Sequence, residues 1–340
     1  MSAVSVVEHL DPSQYEVICI GITPQGDWVK VPSPQADWAT LGARPVSILP
    51  QPNGKGLCYG DGSSEPLDVV FPVLHGPYGE DGTIQGLLEL AGLPYVGAGV
   101  LGSAVSMDKD VMKRLFLQAG LPVLTYRRVM RRLWEQDRGS VLARLEDHVG
   151  YPCFVKPANL GSSVGISRAK NRRQLELGLE HASLYDGKML VETAAPDAHE
   201  IECSLMGNDD PQVSIPGEII PSRDFYDYAA KYEDGTSQLL IPAPLAPDVT
   251  ARVQQLALAA YRAVDASGYG RVDLFVQRQD HRVWVNEINT IPGFTSISMF
   301  PKLWEASGVG YSELLNRLIT LALERHADKE RNVTSCKPNR

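Results

Sequence analysis

Apolar and polar positions alternate along the first part of the chain in a way that predicts strands and helices in turn. Continuous apolar runs over residues 15–22, 67–74 and 93–97 are typical of buried strands. Residues 83–92 carry apolar side chains at helical spacing and end near a glycine. This alternation predicts a parallel sheet covered by helices. Residues 31–66, rich in Pro, Gly and Ser, predict a long surface excursion with short strands.

The pattern changes after residue 106. Residues 107–120 predict a helix that begins beside Asp108 and Asp110 and ends at Gly120. Short apolar segments then predict an α+β unit, with a helix near 171–184 and strands over 151–158, 165–169, 188–193 and 200–207. Later segments predict helices over 247–267 and 310–326 and strands over 212–220, 270–277 and 283–290. The polar residues 328–340 predict a disordered tail.

The composition narrows the class of protein. The chain has 340 residues, 44% hydrophobic and 21% charged, which is typical of a globular protein with two or three domains. A net charge of −9 gives no reason to expect a nucleic acid partner. No apolar run approaches the roughly 20 residues of a bilayer span and no signal peptide is evident, so we expect a cytoplasmic protein without a membrane partner. The five cysteines form no CxxC pair, which argues against a zinc site or a disulfide framework.

The strongest local signal is a predicted hairpin formed by residues 271–277 and 282–289. A turn near residue 280 places Asp273 opposite Glu287, and Arg271 opposite Asn289. Two opposed carboxylates repel one another, and a divalent cation would remove that cost. Carboxylate and amide oxygens suit magnesium. The alternative is a solvated polar face with an ordinary Arg–carboxylate pair.

Two loops carry residue types that could hold a ligand. Residues 155–167 (VKPANLGSSVGIS) deliver Lys156 to a Gly/Ser loop whose backbone N–H groups could face a phosphate, although an ordinary hairpin turn explains the same residues. Residues 74–82 place His75 at the end of a predicted parallel strand, where open sheets bind ligands, although a lone histidine is usually structural. The aromatic residues 224–238 predict either a surface loop or a lid.

One glycine pattern imitates a dinucleotide-binding motif. Gly97, Gly99 and Gly102 spell GxGxxG after a predicted strand. The acidic residue expected about 20 residues later is missing. A tight strand-to-helix turn therefore explains these glycines better than a nicotinamide cofactor does.

Six segments together resemble the D-alanine–D-alanine ligases of the ATP-grasp superfamily, over nearly the whole chain. In sequence order they are LHGPYGEDGTIQGLLELAGLPYVGAG, SMDK, VKPANLGSSVGIS, DFYDYAAKY, RVDLF and NEINTIPGFTS. The resemblance implies an α/β and α+β fold of three domains, with a parallel sheet in the first. We expect domain boundaries at 1–106, 107–195 and 196–327, followed by the tail.

The resemblance also implies a set of site residues. ATP would lie between the central and C-terminal domains, in contact with Lys109, Lys156, Ser162, Ser163, Glu192, Ala195, Glu200, Phe225 and Lys231. Two Mg²⁺ or Mn²⁺ ions would be held by Asp273, Glu287 and Asn289. The expected partners are D-alanine, ATP and a second copy of the chain in a homodimer.

The implied reaction has two steps. One D-alanine carboxylate takes the γ-phosphate of ATP, and the amine of a second D-alanine then displaces phosphate from the acyl phosphate. Arg271 and the N–H of Gly293 would stabilise the oxyanion, and Ser162 and Tyr232 would fix the lid over the substrates. His75 and Ser298 would bind substrate. The alternatives are another carboxylate–amine ligase and a nucleotide-binding homologue with little turnover.

One departure from the family concerns the beginning of the chain. Family members start with a strand and a Gly-rich loop whose glutamate contacts the first D-alanine, whereas this sequence starts at the following helix, SAVSVVEHL. About 25 residues are therefore expected to be missing, the usual length of such a unit. The expected explanation is a mis-set start codon, and the alternative is a truncated chain with low activity or stability.

Overall fold

The computed structural model describes residues 1–36, 44–52, 56–161, 164–220 and 238–333. The helices are α1 (Ser2–His9), α2 (Thr83–Leu90), α3 (Val100–Met107), α4 (Lys109–Gln118), α5 (Arg131–Gln136), α6 (Arg138–His148), α7 (Arg172–Ala182), α8 (Pro247–Ala263), α9 (Met299–Ala306) and α10 (Tyr311–Glu330). Within these ranges, no helix has both the length and the apolar composition that a membrane crossing requires.

The first sheet is an antiparallel meander with strand order β1-β2-β3-β4-β5. Its strands are β1 (Cys19–Ile22), β2 (Trp28–Val31), β3 (Arg44–Ile48), β4 (Gly56–Tyr59) and β5 (Ser64–Pro66). A turn over residues 23–27 joins β1 to β2, and residues 31–66 contain short strands as expected.

The parallel sheet predicted for this region is not confirmed. The only parallel pairing among the described residues is an isolated bridge between Val70 and Tyr95. Residues 67–74 are nevertheless packed on both sides, since Val69 and Phe71 contact one apolar cluster while Val70 contacts another. Pro72 has no N–H to donate to a ladder, which limits pairing in the middle of this segment. The apolar run in this segment therefore reflects burial on both sides, and the segment is not part of a continuous sheet.

The central sheet has strand order β6-β9-β7-β8, with β6 (Tyr126–Met130), β7 (Cys153–Pro157), β8 (Ser167–Ala169) and β9 (Lys188–Thr193). All of these pairs are antiparallel. Helices α6 and α7 supply Leu142, Leu145, Leu175 and Leu179 to the same buried cluster as Val155 and Val191 of the sheet. The predicted α+β unit is confirmed, whereas β6, α5 and α6 had not been predicted.

The third sheet has six strands and follows the order β13-β12-β10-β14-β15, with β11 paired to β10. The strands are β10 (Ala198–Met206), β11 (Gln212–Val213), β12 (Gly217–Ile220), β13 (Gln238–Leu240), β14 (Tyr269–Gln277) and β15 (Val283–Asn289). Helix α8 and part of α4 cover one face, where Val253 and Phe116 join Val272 in a buried cluster. The opposite face is covered in part by α9, whose Met299 and Leu303 pack with Ile219 of β12.

The register of the β14–β15 hairpin confirms the sequence prediction. Asp273 lies opposite Glu287, and Arg271 lies opposite Asn289. The register then shifts, because Leu274 pairs with Val285 and leaves Asn286 as an extra residue in β15. Such a bulge turns the following side chains to the other face of the sheet. The bulge thus lets Val285 stay in the core while Glu287 faces away from it.

Candidate functional site

A cavity of about 220 Å³ separates the central sheet from the third sheet. The polar groups that line it come from both sheets, so neither sheet alone would form it. The cavity brings together six of the site residues predicted from the sequence, namely Lys156, Glu192, Ala195, Glu200, Asp273 and Glu287.

Three buried charges lie in the wall formed by the central sheet or directly behind it. Lys156 on β7 donates a 2.7 Å hydrogen bond to Oε2 of Glu192 on β9, and Lys113 of α4 pairs with the other oxygen, Oε1. The side chains of Lys113 and Glu192 are each only 1% exposed. Burial disfavours the ionised form of Glu192, yet Lys113 and Lys156 outweigh it and hold the pKa of this carboxyl below its ordinary value. The three groups therefore act as one charged unit, which we call the buried triad.

The two ammonium groups of the buried triad respond differently to their surroundings. Burial lowers the pKa of Lys113, and Glu192 only partly offsets that effect. Burial acts on Lys156 as well, but Glu192 and Glu287 together raise its pKa above the ordinary value. Lys156 thus faces carboxylates on both sides of the cavity, which favours its charged form.

Helix α4 begins at the junction of the two walls. Asp108 caps it by accepting hydrogen bonds from the N–H groups of Asp110 and Val111. This start places Lys109 so that its Nζ donates to the carbonyl of Leu160 at 2.9 Å and lies 3.4 Å from a carboxylate oxygen of Glu287. Lys109 therefore lies between the Gly/Ser loop and the hairpin, next to Glu287, which lines the cavity.

The opposite wall is rich in carboxylates. Arg271 binds both oxygens of Asp273 at 2.7 Å, and its Nε lies 3.1 Å from Glu202 on β10. Burial acts against the charge on Arg271, but Asp273 and Glu202 outweigh it and raise the pKa further. Glu202 pairs with Asp273 in the β10–β14 register. We call Arg271, Asp273, Glu202 and Glu287 the acidic wall.

The predicted cation ligands share one face of the hairpin. Asp273 and Glu287 are opposed across β14 and β15, and Oδ1 of Asn289 accepts a 2.9 Å hydrogen bond from the N–H of Ile291. Two carboxylates and an amide oxygen fit a hard divalent cation. Among the residues that the structure describes, no group of three or more His, Cys, Asp or Glu side chains is arranged to hold a metal. Any cation here would therefore need the amide oxygen or a ligand from outside the chain.

The loop after β15 places Gly293 and Ser298 side by side. A Cβ atom on Gly293 would lie 2.7 Å from Oγ of Ser298, so no other residue fits without displacing that hydroxyl. Oγ of Ser298 accepts a 3.0 Å hydrogen bond from the N–H of Thr295 and lies 2.8 Å from its hydroxyl. The carbonyl of Ile291 in the same loop lies 3.1 Å from Nδ1 of His75. The loop containing His75 is therefore tied to the loop after β15.

Glu80 lies in the loop that follows His75, and the sequence analysis did not predict it as a site residue. Its carboxylate accepts a hydrogen bond from the N–H of Gly76 and is 8% exposed. Burial raises its pKa to about 7, against the effects of that hydrogen bond, Lys109 and Arg271. A Cβ atom on Gly161 would lie 3.5 Å from its Oε2, so Glu80 reaches the Gly/Ser loop.

Sequence reasoning also missed Glu202 and Lys113. Glu202 could have been found, because it follows the predicted Glu200 by two positions on one strand and therefore shares its face. Lys113 could not, since nothing in a helical lysine indicates which strands will enclose it. Five predicted site residues lie outside the described residues, namely Ser162, Ser163, Phe225, Lys231 and Tyr232.

The GxGxxG glycines have a packing role. Gly97 has a φ of +108°, which favours glycine. A Cβ on Gly102 would lie 2.6 Å from the carbonyl oxygen of Asp265, so this residue allows α3 to approach the end of α8 closely. The strand-to-helix explanation of the pattern is therefore supported.

Comparison with known proteins identifies the family. A model of the D-Ala D-Ala ligase N-terminus matches residues 1–98, and a model of the D-Ala D-Ala ligase C-terminus matches residues 115–320. The D-alanine–D-alanine ligase of Heliobacterium modesticaldum is 50% identical over 99% of this chain and 93% of its own length. That of Natranaerobius thermophilus is 49% identical over 98% and 93%, respectively.

Solved structures agree with the sequence matches. The D-alanine–D-alanine ligase from Coxiella burnetii superposes with a TM-score of 0.84 at 38% identity, covering 97% of this chain and 92% of that one. The VanG D-Ala:D-Ser ligase from Enterococcus faecalis gives a TM-score of 0.86 at 34% identity, covering 94% of each chain. The cavity between the two sheets and the matches along nearly the whole sequence thus lead to one conclusion: the chain belongs to the D-Ala–D-Ala ligase family.

Proposed function

We propose that the chain joins two D-alanine molecules into D-alanyl-D-alanine for peptidoglycan precursor synthesis, converting ATP to ADP and phosphate. The observation that carries the proposal is the cavity in which Lys156 and Glu192 face Asp273 and Glu287. The proposal is also supported by D-alanine–D-alanine ligases about half identical to this chain over nearly its full length.

The nucleotide would occupy the cavity, with Lys156 and Lys109 near its phosphates and Ala195 and Glu200 along its remaining length. We assign Ser162, Ser163, Phe225 and Lys231 to the same nucleotide by resemblance alone, since they lie outside the described residues. When bound at Asp273, Glu287 and Asn289, one or two Mg²⁺ or Mn²⁺ ions would offset the charge of the phosphates.

In the first step of the proposed reaction, an oxygen of one D-alanine carboxylate attacks the γ-phosphorus and ADP leaves. The amine of the second D-alanine then attacks the acyl carbon, phosphate departs, and the amine loses a proton. Arg271, held by Asp273 and Glu202, and the N–H of Gly293 would stabilise the oxyanion between these events. Ser298 would bind the carboxylate of the second substrate and His75 would contact the first, with Ser162 and Tyr232 fixing the lid.

A second candidate function is ligation of D-alanine to a different second substrate. It is favoured by one observation, the likeness to a protein described as a D-Ala:D-Ser ligase. The chain carries Lys231 followed by Tyr232, which by resemblance favours formation of a dipeptide over D-alanyl-D-lactate but does not distinguish D-alanine from D-serine. The two functions differ in the second substrate only, so a single assay separates them.

The domain boundaries, the homodimer and the cytoplasmic location are further parts of the proposal. The boundary at 195 is supported, because Val191 before it and Ile201 after it belong to different apolar clusters. The boundary at 106 rests on the family resemblance, since Val105 before it and Met112 after it pack in the same cluster. The homodimer and the cytoplasmic location rest on the family resemblance.

The proposed function is tested by incubating the purified chain with ATP, Mg²⁺ and D-alanine. We expect phosphate release together with D-alanyl-D-alanine, identified by mass spectrometry. D-Serine, D-lactate and L-alanine are offered separately as second substrates beside D-alanine. Phosphate release with a mixed product in preference to the dipeptide would favour the second candidate, and ATP binding without any ligated product would contradict both.

A further inference from the structure

Lys113 is the member of the buried triad to which no role has been given. It lies one helical turn after Lys109 on α4, and its side chain is 1% exposed. Enclosing an ammonium group is costly unless its partners are well placed. It is absent from the described residues that line the cavity, so it would not touch a ligand there. Any effect of Lys113 on the site must therefore pass through its partners.

Those partners belong to three different strands. Nζ of Lys113 pairs with Glu192 on β9 and donates a 3.1 Å hydrogen bond to the carbonyl oxygen of Asn286 on β15. It also lies 5.9 Å from the centre of the Tyr126 ring on β6. The central sheet and the third sheet are thus joined by one ammonium group, directly behind the cavity.

The contact on β15 is made at the bulge. Asn286 is the extra residue between the Asp273–Glu287 pair and the Leu274–Val285 pair. The extra residue of a bulge is not paired in the ladder, and the bulge decides which way the following side chain points. Here that side chain is Glu287, one of the proposed cation ligands. A donor fixed at the Asn286 carbonyl therefore holds the local backbone that aims Glu287.

The contact on β9 also affects the site, because it fixes the orientation of the Glu192 carboxylate. The two oxygens of Glu192 are divided between Lys113 and Lys156. Without Lys113, the carboxylate would be free to turn toward Lys156 and draw that ammonium group away from the cavity. One residue thus influences both the phosphate-facing lysine and the orientation of the hairpin.

We propose that Lys113 is a positioning residue. It fixes the position of the proposed nucleotide-binding residues Lys156 and Glu192 relative to the β14–β15 hairpin, which carries the proposed cation ligands. This inference rests on the proposed nucleotide and cation roles of the cavity, and it extends them to a residue that contacts neither ligand. Lys113 is accordingly needed for joint binding of nucleotide and Mg²⁺, and much less for recognition of the amino acid.

The test compares Lys113→Met, which keeps the length of the side chain but removes its charge, with the conservative Lys113→Arg. The matched control is Lys188→Met, which removes the ion pair with Asp108 at the start of α4 without touching Glu192 or Asn286. ADP binding is measured by calorimetry with and without Mg²⁺, and the Mg²⁺ concentration for half-maximal phosphate release is measured separately. Thermal unfolding reports the stability of each variant.

For Lys113→Met we expect ADP–Mg²⁺ affinity to fall and the half-maximal Mg²⁺ concentration to rise, each by roughly tenfold or more, as when residues supporting metal ligands are removed. The KM for D-alanine should change less than about twofold, because no substrate group contacts this residue. Lys113→Arg should recover part of both losses. Lys188→Met should leave ADP–Mg²⁺ affinity and Mg²⁺ dependence unchanged.

Unchanged ADP–Mg²⁺ affinity and Mg²⁺ dependence in a folded Lys113→Met would overturn the inference. If that variant does not fold, Lys113→Arg carries the test, and a folded Lys113→Arg with wild-type binding would overturn it equally. A wild-type protein that binds ADP–Mg²⁺ but makes no dipeptide would refute the proposed function alone, since the role of Lys113 is read from binding.

Discussion

The two walls of the cavity handle their charges in different ways. The buried triad on the central side sets two lysines against one glutamate, in contacts that are almost fully enclosed. The acidic wall sets Glu202, Asp273 and Glu287 against Arg271, with Lys109 reaching across to Glu287. One wall therefore has an excess of positive charge and the other an excess of negative charge.

This difference in charge suits the two walls to different ligands. Positive charge on the triad side would attract phosphates directly, whereas the acidic wall would repel them unless a cation came between. A nucleotide and a divalent cation would thus complete the cavity together, each reducing the electrostatic cost of the other. The comparison predicts that changes on the acidic wall mainly affect catalysis, and that changes in the triad affect both stability and nucleotide binding.

The largest expected effect follows from breaking the acidic wall with Asp273→Asn. Removing one carboxylate from the hairpin should lower the rate of phosphate release by about 10⁴-fold, because several kcal/mol of transition-state stabilisation would be lost. The rate is measured with D-alanine at saturating Mg²⁺, and thermal unfolding checks that the fold is kept.

The control for this variant is Asp280→Asn, a similar change in the turn of the same hairpin. Asp280 is 46% exposed and pairs only with the neighbouring Arg282 among the described residues, so its loss should leave the rate unchanged. If a folded Asp273→Asn variant keeps a rate of phosphate release near that of the wild type, the prediction that the acidic wall mainly affects catalysis is wrong.

A smaller effect on activity but a large one on stability is expected from Glu192→Gln. This change removes the carboxylate that pairs directly with both Lys113 and Lys156, so the free energy of unfolding should fall by about 3–5 kcal/mol. It is measured by urea denaturation at neutral pH. Glu176→Gln on α7 is the control, because its exposed pairing with Arg138 is worth less than about 1 kcal/mol. Equal losses in the two variants would show that the triad is not a special source of stability.

The smallest effect concerns Glu80, which lies between the walls. Its pKa is raised from 4.5 to about 7 by burial, so the folded protein holds a proton that the unfolded chain releases between these values. This group should therefore destabilise the fold progressively as pH rises from about 4.5 to about 7. Glu80→Gln should remove the effect and gain at most about 3 kcal/mol over the wild type above pH 7, and little at pH 4.

The measurement for Glu80 is urea denaturation of both proteins between pH 4 and pH 8. The exposed Glu8 on α1 provides the control variant, Glu8→Gln, for which no such divergence with pH is expected. A stability difference between Glu80→Gln and the wild type that stays constant over this range would show that the Glu80 carboxyl titrates normally.

Several elements of the site were predictable because they depend on local pattern. The hairpin is an example, since alternation and a polar turn predict that Asp273 and Glu287 lie on paired strands close to one another, although their direct opposition also depends on the bulge at Asn286. The α+β unit containing Lys156 and Glu192 was predicted for the same reason. The parallel sheet was not confirmed, because continuous apolar runs indicate burial on both sides and do not reveal hydrogen-bonding partners.

The bulge at Asn286 was also beyond prediction. A bulge depends on how a strand fits its neighbour, and the sequence of β15 contains no glycine or proline to mark it. Its effect is nonetheless decisive, since it keeps Val285 in the core and turns Glu287 toward the cavity.

By itself the sequence determined the chemical types at the site, the pairing within the hairpin and the family, because these follow from neighbouring residues and from motif order. Only the tertiary structure decided that Lys113 joins Glu192 to Asn286, that Glu202 supports Arg271, and that Glu80 reaches the Gly/Ser loop. These contacts link segments far apart in the chain. Their geometry arises from the packing of two sheets against one helix, which no local pattern encodes.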